Sequence, residues 1–489
     1  MRMLSQGAIA CVAMTLLLAT AQAQQGSARL RVMTFNIEYG GTHVSFEKVV
    51  EVIRRSGADI VGIQEAEGNL ERLASELGWH FDLQNYAISR FPLLNPGAAQ
   101  GRYVLVEVQP GKVVALLNVH LPSDPYGPDL VRDGASPDEV LALERSLRTP
   151  KIRPYLDAAK ELVTLEIPVF LTGDFNTPAH TDWSKDAVGT RPFLRYPIAW
   201  PVTLAASKAG LHDAWRVTHT DPLVHPGLTW WAARPPRSIY SFDENDAQDR
   251  IDFIWYGGPV EVLGSGLIGE VGTPEAVITV EPWPSDHRAV IADFNVEAAD
   301  TPPLLAMDRR VVTRGDNATV MYRNVAPARL QVRQDGAGKS TRFTVNERIA
   351  GDGAAGIDAR LLSSGHYRVR LQQAANKELT TEFWVLEQGA KPWVGLVHDS
   401  KGGEDLLVSW RDAPGLRNDY LAIVREGTKA TYDGPGTWIY VNAMPAGSLR
   451  IGKDNVAGEW PLAPGRYVVR LMKDDGIEVL AESAPFDIV

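Results

Sequence analysis

Between residues 30 and 296 the chain passes repeatedly through apolar segments of strand length. Each stops on a side chain fit for acid, base or ligand chemistry. Leu30–Phe35 alternates like a strand and halts at Asn36 in TFNIEYG. Asp59–Gln64, suited to burial on both faces, runs into Glu65 of GIQE. Val113–Val119 ends at His120 in NVHL, and Pro168–Thr172 leads into Asp174 and Asn176 of GDFNTP. RIDFIW carries Asp252, and SDHR sets Asp286 and His287 just ahead of the strand-like Ala289–Val296. A further short motif, ISRFP, spans 88–92. If the strand ends share one rim, a single pocket holds carboxylates, amides and two imidazoles.

Helical periodicity fills the intervals. Ser45–Arg55 puts Phe46, Val49, Val50 and Ile53 on one face, and Asn69–Leu77 repeats Leu70, Leu73 and Leu77. Ser136-Pro137-Asp138-Glu139 combines an N-cap serine, an early proline and a glutamate three residues on, so a helix starts there. Helices are also predicted over Pro154–Leu165 and Val202–Val217, and adjacent strands over Tyr103–Val108 and Val113–Leu121. Such mixing predicts sheets covered by helices.

At 489 residues the chain needs more than one core. Asp300-Thr301-Pro302-Pro303 reads as a linker, and beyond it short strands and turns replace helical periodicity. SGHYRVRL at 364–371 and PGRYVVRL at 464–471 repeat one turn-plus-strand pattern. Two β-sandwich modules of immunoglobulin or fibronectin kind are therefore predicted, over 303–388 and 390–489, after a mixed domain over 28–297. Residues 1–23 read as a cleaved signal peptide: Arg2, an apolar stretch over 7–19, then Ala21-Gln22-Ala23. An uncleaved anchor is the alternative. Cys11, the single cysteine, lies in that stretch, so the mature chain has no disulfide or thiolate metal site. Periplasmic or extracellular location follows, without a stable membrane span. Net charge of −11 argues against a general electrostatic grip on nucleic acid, though an acidic protein can carry a local basic groove.

Taken together and in this order, the motifs resemble the endonuclease/exonuclease/phosphatase superfamily, of deoxyribonuclease I-like fold. The resemblance covers residues 30–296. It implies a four-layered α/β sandwich, here followed by the two all-β sandwiches, and a divalent metal: magnesium, with manganese or calcium as alternatives. It further implies hydrolysis of a phosphoester, whether a small molecule, a lipid headgroup or nucleic acid. Glu65 becomes the principal metal ligand, helped by Asn36 and Asp286. Asp174 aligns the attacking water and Asn176 donates to a phosphate oxygen. Asp252 orients His287, and His287 and His120 stabilise developing charge or serve the leaving group. Arg250 is expected to brace its loop. Thr229-Trp230-Trp231 resembles the strand before the Arg-x-Asp motif of abasic-site relatives, with either one indole beneath the site and one facing substrate, or both in the core. The irregular stretch 177–201, with Asp182, Trp183, Lys185, Arg191 and Arg195, is expected to border the cleft.

Three functions fit these residues. A secreted phosphodiesterase on a small or lipid-derived phosphoester agrees with the acidic balance. An extracellular nuclease agrees with the Trp-Trp strand. A non-catalytic binding protein working through the β modules fits least, because the acid, amide and imidazole set is complete.

Overall fold

The computed structural model describes residues 27–489 except 234–245, 336–344, 373–377, 398–404 and 433–435. The expected signal segment 1–23 lies outside the described residues. Two seven-stranded sheets form the first domain. In one, β1 (Ser27–Asn36) lies parallel to β2 (Ile60–Gln64). In the other, β3 (Lys112–His120) lies parallel to β4 (Val169–Asp174). Antiparallel partners complete each centre: β5 (Asp252–Gly257) on β4, and β6 (Ala289–Glu297) on β1.

An apolar layer including Val32, Ile60, Val106, Leu116, Phe170, Ile254 and Phe294 is sealed between the sheets. Helices α1 (Phe46–Ser56) and α2 (Leu70–Leu77) cover the first sheet. Helices α3 (Pro137–Leu147), α4 (Thr149–Thr164) and α5 (Pro201–Lys208) lie on the side of the second. The result is the expected four-layered α/β sandwich of deoxyribonuclease I-like type. Local chemistry sets the helix ends. Ser45 caps α1, whose Phe46, Val49, Val50 and Ile53 are all buried, and Ser136 with Glu139 forms a full capping box on α3.

Two helix expectations shift. The α4 helix begins at Thr149, with Pro154 inside it. The helix expected over Val202–Val217 stops at Lys208. Gly210 takes φ +85°, a short strand His212–Asp213 joins β5, and Asp213 caps a new helix over Ala214–Thr218. Sequence periodicity carried across the break because Ala205, Ala206 and Ala214–Val217 suit either side.

Beyond β6, Ala299–Asp300 pairs with β3, and the amide of Thr301 donates to Gly111 O, so the start of the expected linker is tied to the first domain. Residues 304–386 form the first expected all-β unit, its six strands joined in one continuous hydrogen-bonded sheet that folds over a core. Its long strand Asn317–Gln334 loses register between Tyr322 and Ala328, around Pro327. The N-terminal half pairs with Leu304–Met307 and the C-terminal half with Gly365–Gln372, enclosing one core. Residues 393–488 form a three-stranded and a five-stranded sheet around a second core.

Both all-β units are docked. Arg323 forks onto Glu107 at 2.9 Å through Nε and Nη2. From the last unit, Asp474 accepts from the amide of Gly68 and the hydroxyl of Tyr86. Tyr432 donates to Glu67 Oε2 at 2.8 Å, and its ring lies 4.3 Å from that of Tyr39. Those contacts sit beside the ends of β1 and β2. No helix among the described residues is long and apolar enough to cross a membrane.

Candidate active site

Strand direction brings the polar motifs together. The C-terminal ends of β1 to β4 and the N-terminal ends of the antiparallel β5 and β6 share one rim. Residue Asp174 is in register with both His120 and Asp252. Close approach at this rim depends on glycine. At Gly173 (φ +154°) a β-carbon would overlap the carbonyl oxygen of Val119. At Gly62 it would overlap Thr172 Oγ1 and Asn118 Oδ1, the polar zipper between the sheets. Glu65 and Asn176 hold left-handed backbones (φ 55° and 49°), a cost of the kind that accumulates at functional sites.

The amide of Asn36 is the hub. Its Nδ2 lies 2.9 Å from Glu65 Oε1, 3.1 Å from Asp174 Oδ2 and 3.4 Å from His287 Nε2. Its Oδ1 accepts from the backbone of Glu38, so the amide turns its N–H groups to the two carboxylates. The His120 Nε2 atom completes the ring, 3.8 Å from Glu65 Oε1 and 3.6 Å from Asp174 Oδ2, on a side chain 28 % exposed. Asn176 is present but committed: its Nδ2 donates to Leu121 O and its side chain and backbone both brace Asp174.

His287 is buried, with Nδ1 2.9 Å from Asp252 Oδ2 and Nε2 3.6 Å from Asp174 Oδ2. Burial disfavours its charged form, but Asp252, Asp174 and Asp286 together outweigh burial and raise its pKa well above the ordinary histidine value. Burial in turn pushes Asp174 up, against the pull of His287 and His120. The remaining carboxylate, Asp286, accepts from Trp230 Nε1 at 3.2 Å and lies 4.0 Å from His287 Nε2.

Further side chains, which no motif assignment covers, support the site. Glu38 accepts from the amide of Asp286, and Ser285 Oγ ties Asn36 O to the amide of His287. Thr229 Oγ1 accepts from the amides of Ile251 and Asp252. Glu38 and Ser285 sit inside the motifs TFNIEYG and SDHR, next to the residues that were assigned. Arg250 braces as expected, through Asp182 and Asp213. Asp182 and Trp183, expected at the cleft border, are interior instead. Asp182 is clamped by Arg250 and Arg216, and Trp183 packs among Phe193 and Trp200. Burial works to raise Asp182, yet the two guanidinium groups hold it at about 2. Trp230 and Trp231 are both half-buried, with Trp230 at the site and its ring 6.4 Å from that of His287.

The site fits a divalent cation. Among the described residues no lysine or arginine pairs with Glu65, Asp174, Asp252 or Asp286, so negative charge is in excess. Asp252 Oδ1 is buried without a hydrogen-bond partner among the described residues. Ligand atoms of Asp174, Asp252 and His287 lie within 4.8 Å of one another, but a His287 bonded to Asp252 through Nδ1 and protonated on Nε2 is not itself a ligand. Oxygen donors predominate, which favours a hard ion.

A model of the Endonuclease/Exonuclease/phosphatase family matches residues 33–287. An uncharacterized protein of Caenorhabditis elegans, F14F9.5, is 27 % identical over 287 residues, spanning 54 % of this chain and 91 % of that one. Among solved structures, an endonuclease/exonuclease/phosphatase from Beutenbergia cavernae is 16 % identical, with TM-score 0.34 over 73 % of this chain and 99 % of its own. TDP2 of D. rerio, complexed with single strand DNA product, is also 16 % identical, with TM-score 0.34 over 55 % and 100 %.

Proposed function

We infer that this chain, which belongs to the endonuclease/exonuclease/phosphatase family, is a metal-dependent phosphodiesterase acting on a small or lipid-derived phosphoester. Family members are hydrolases of phosphoester bonds. The observation that carries the reading is the single amide of Asn36 reaching Glu65, Asp174 and His287 at once. An acidic balance, net −11, favours a small ester over a polyanion gripped along its length. Export to the periplasm or outside the cell belongs to the proposal and rests on the sequence of residues 1–23.

The chain's own groups divide the work. Asp174, held by Asn36 and Asn176, accepts a hydrogen bond from the attacking water and aims it in line at phosphorus. His287, kept protonated by Asp252 and its neighbours, holds its proton on Nε2 for a phosphoryl or leaving oxygen. His120, more exposed, brings a second imidazole to the substrate, its Nε2 3.6 Å from Asp174 Oδ2. Glu65 and Asp286, with Asn36 beside them, would hold the ion. Magnesium, when bound, supplies Lewis-acid polarisation of the phosphoryl oxygens.

A magnesium-dependent screen of the purified chain against sphingomyelin, phosphatidyl lipids, inositol phosphates, DNA and RNA tests the reading. Turnover of a small or lipid ester is expected. Turnover confined to DNA or RNA, weakening steeply with salt, would replace it with a nuclease.

A further inference from the structure

The last β unit does more than dock. Its residues Arg417 and Asn418 close a recess whose other lining includes Gln64, Glu65, Tyr86, Asn118 and His120. Thus one wall carries two residues of the catalytic rim, and the facing wall comes from a unit almost 300 positions later in the chain (Arg417 Nη1 reaches Asn118 O at 3.2 Å). The guanidinium is half-buried, and its second nitrogen bonds to the hydroxyl of Tyr155. Its carbon lies 5.8 Å from the Tyr86 ring and 5.6 Å from the Tyr155 ring.

Everything that holds Arg417 is neutral. Among the described residues no carboxylate lies within ion-pair distance of it. Asp475, whose charge senses Arg417, is bonded to the Tyr440 hydroxyl at 2.6 Å, and Asp419 accepts from the amides of Leu416 and Asp474. Its direct partners, Asn118 O and the Tyr155 hydroxyl, leave the guanidinium charge unpaired at hydrogen-bond distance. Neutral acceptors fix its plane and leave further N–H groups uncommitted, an arrangement matched to a phosphate's paired oxygens. Asp174 and His287 do not line the recess. It adjoins the reacting centre through Glu65 and His120.

We propose that Arg417 of the C-terminal β unit binds a second, non-scissile phosphate on the substrate, so that this unit is a working wall of the active site and selects phosphoesters bearing an additional anionic group. This deepens the phosphodiesterase reading and rests on it.

The test uses the full chain and three p-nitrophenyl phosphodiesters whose second arm carries a phosphate, no charge or a trimethylammonium group. We expect kcat/KM for the phosphate arm to exceed that for the neutral arm by about tenfold or more, mostly through KM. That ratio should fall to near one in Arg417→Ala and survive in part in Arg417→Lys, which covers the case in which Arg417→Ala does not fold. A residue that merely docks the unit would change all three substrates alike and leave the ratio. An unchanged ratio in both variants, or a wild type without preference for the phosphate arm, overturns the proposal. Failure of the wild type to hydrolyse any arm would sink the phosphodiesterase reading instead. Calorimetric binding of pyrophosphate, expected to weaken in Arg417→Ala and to overturn the proposal if it does not, still reads Arg417 in that case.

Discussion

Asp252 Oδ2 stands 2.9 Å from His287 Nδ1, across 35 positions of sequence, and both side chains are buried. The bond fixes the imidazole so that Nε2 faces Asp174, and its charge helps to keep the ring protonated. Asp252→Asn keeps the shape but removes that charge. We expect kcat to fall about a hundredfold or more, with an unchanged circular dichroism spectrum; full activity in this variant would remove His287 from the mechanism.

Asp182 holds Arg216 and Arg250 away from solvent beneath the site. Asp182→Asn leaves two buried guanidinium groups short of negative charge. A loss of about 3 kcal/mol or more is expected in denaturant unfolding. An exposed aspartate, such as Asp138, should lose almost nothing when changed in the same way.

Gly173 combines a positive φ with a backbone oxygen where a β-carbon would stand. Gly173→Ala should therefore cost more than about 1 kcal/mol and displace Asp174. Turnover should drop further than stability alone explains, measured well below the melting temperature.

Asp474 is buried where the last β unit meets the first domain, and burial, with Asp475 beside it, lifts its carboxyl to about 7. The unfolded value is about 3.9. The docked form therefore holds this proton more tightly. Its contribution is full below about pH 4 and is lost as pH rises through about 7. The thermal midpoint of the wild type should fall between about pH 5 and 8, and Asp474→Asn, neutral throughout, should flatten that fall. Equal slopes would show that Asp474 carries none of it.

Much of the first domain was legible because its strands are apolar runs with abrupt polar ends. Asn36, Glu65, His120, Asp174, Asp252 and His287 each mark such an end, and parallel pairing of β1 with β2 and β3 with β4 carries them to one rim. The capping box at Ser136 was equally readable, since its bonds are local. Less was legible where long-range partners decide. Asp182 looked like a surface residue of an irregular stretch, because Arg216 and Arg250 lie 34 and 68 positions away. The break at Gly210 hid within helix-compatible neighbours. Arg417 carried no local signal at all: its role at the recess comes from how one domain packs on another.

The proposed metal-dependent hydrolytic centre is built from these strand-end residues. Its most direct measurement is turnover of bis-p-nitrophenyl phosphate by the full chain after chelation and after magnesium is restored, for wild type, Glu65→Ala and His287→Ala. Turnover that chelation removes and magnesium returns is expected in the wild type, and none in either folded variant. Chelator-resistant turnover, or full activity in both variants, would contradict it.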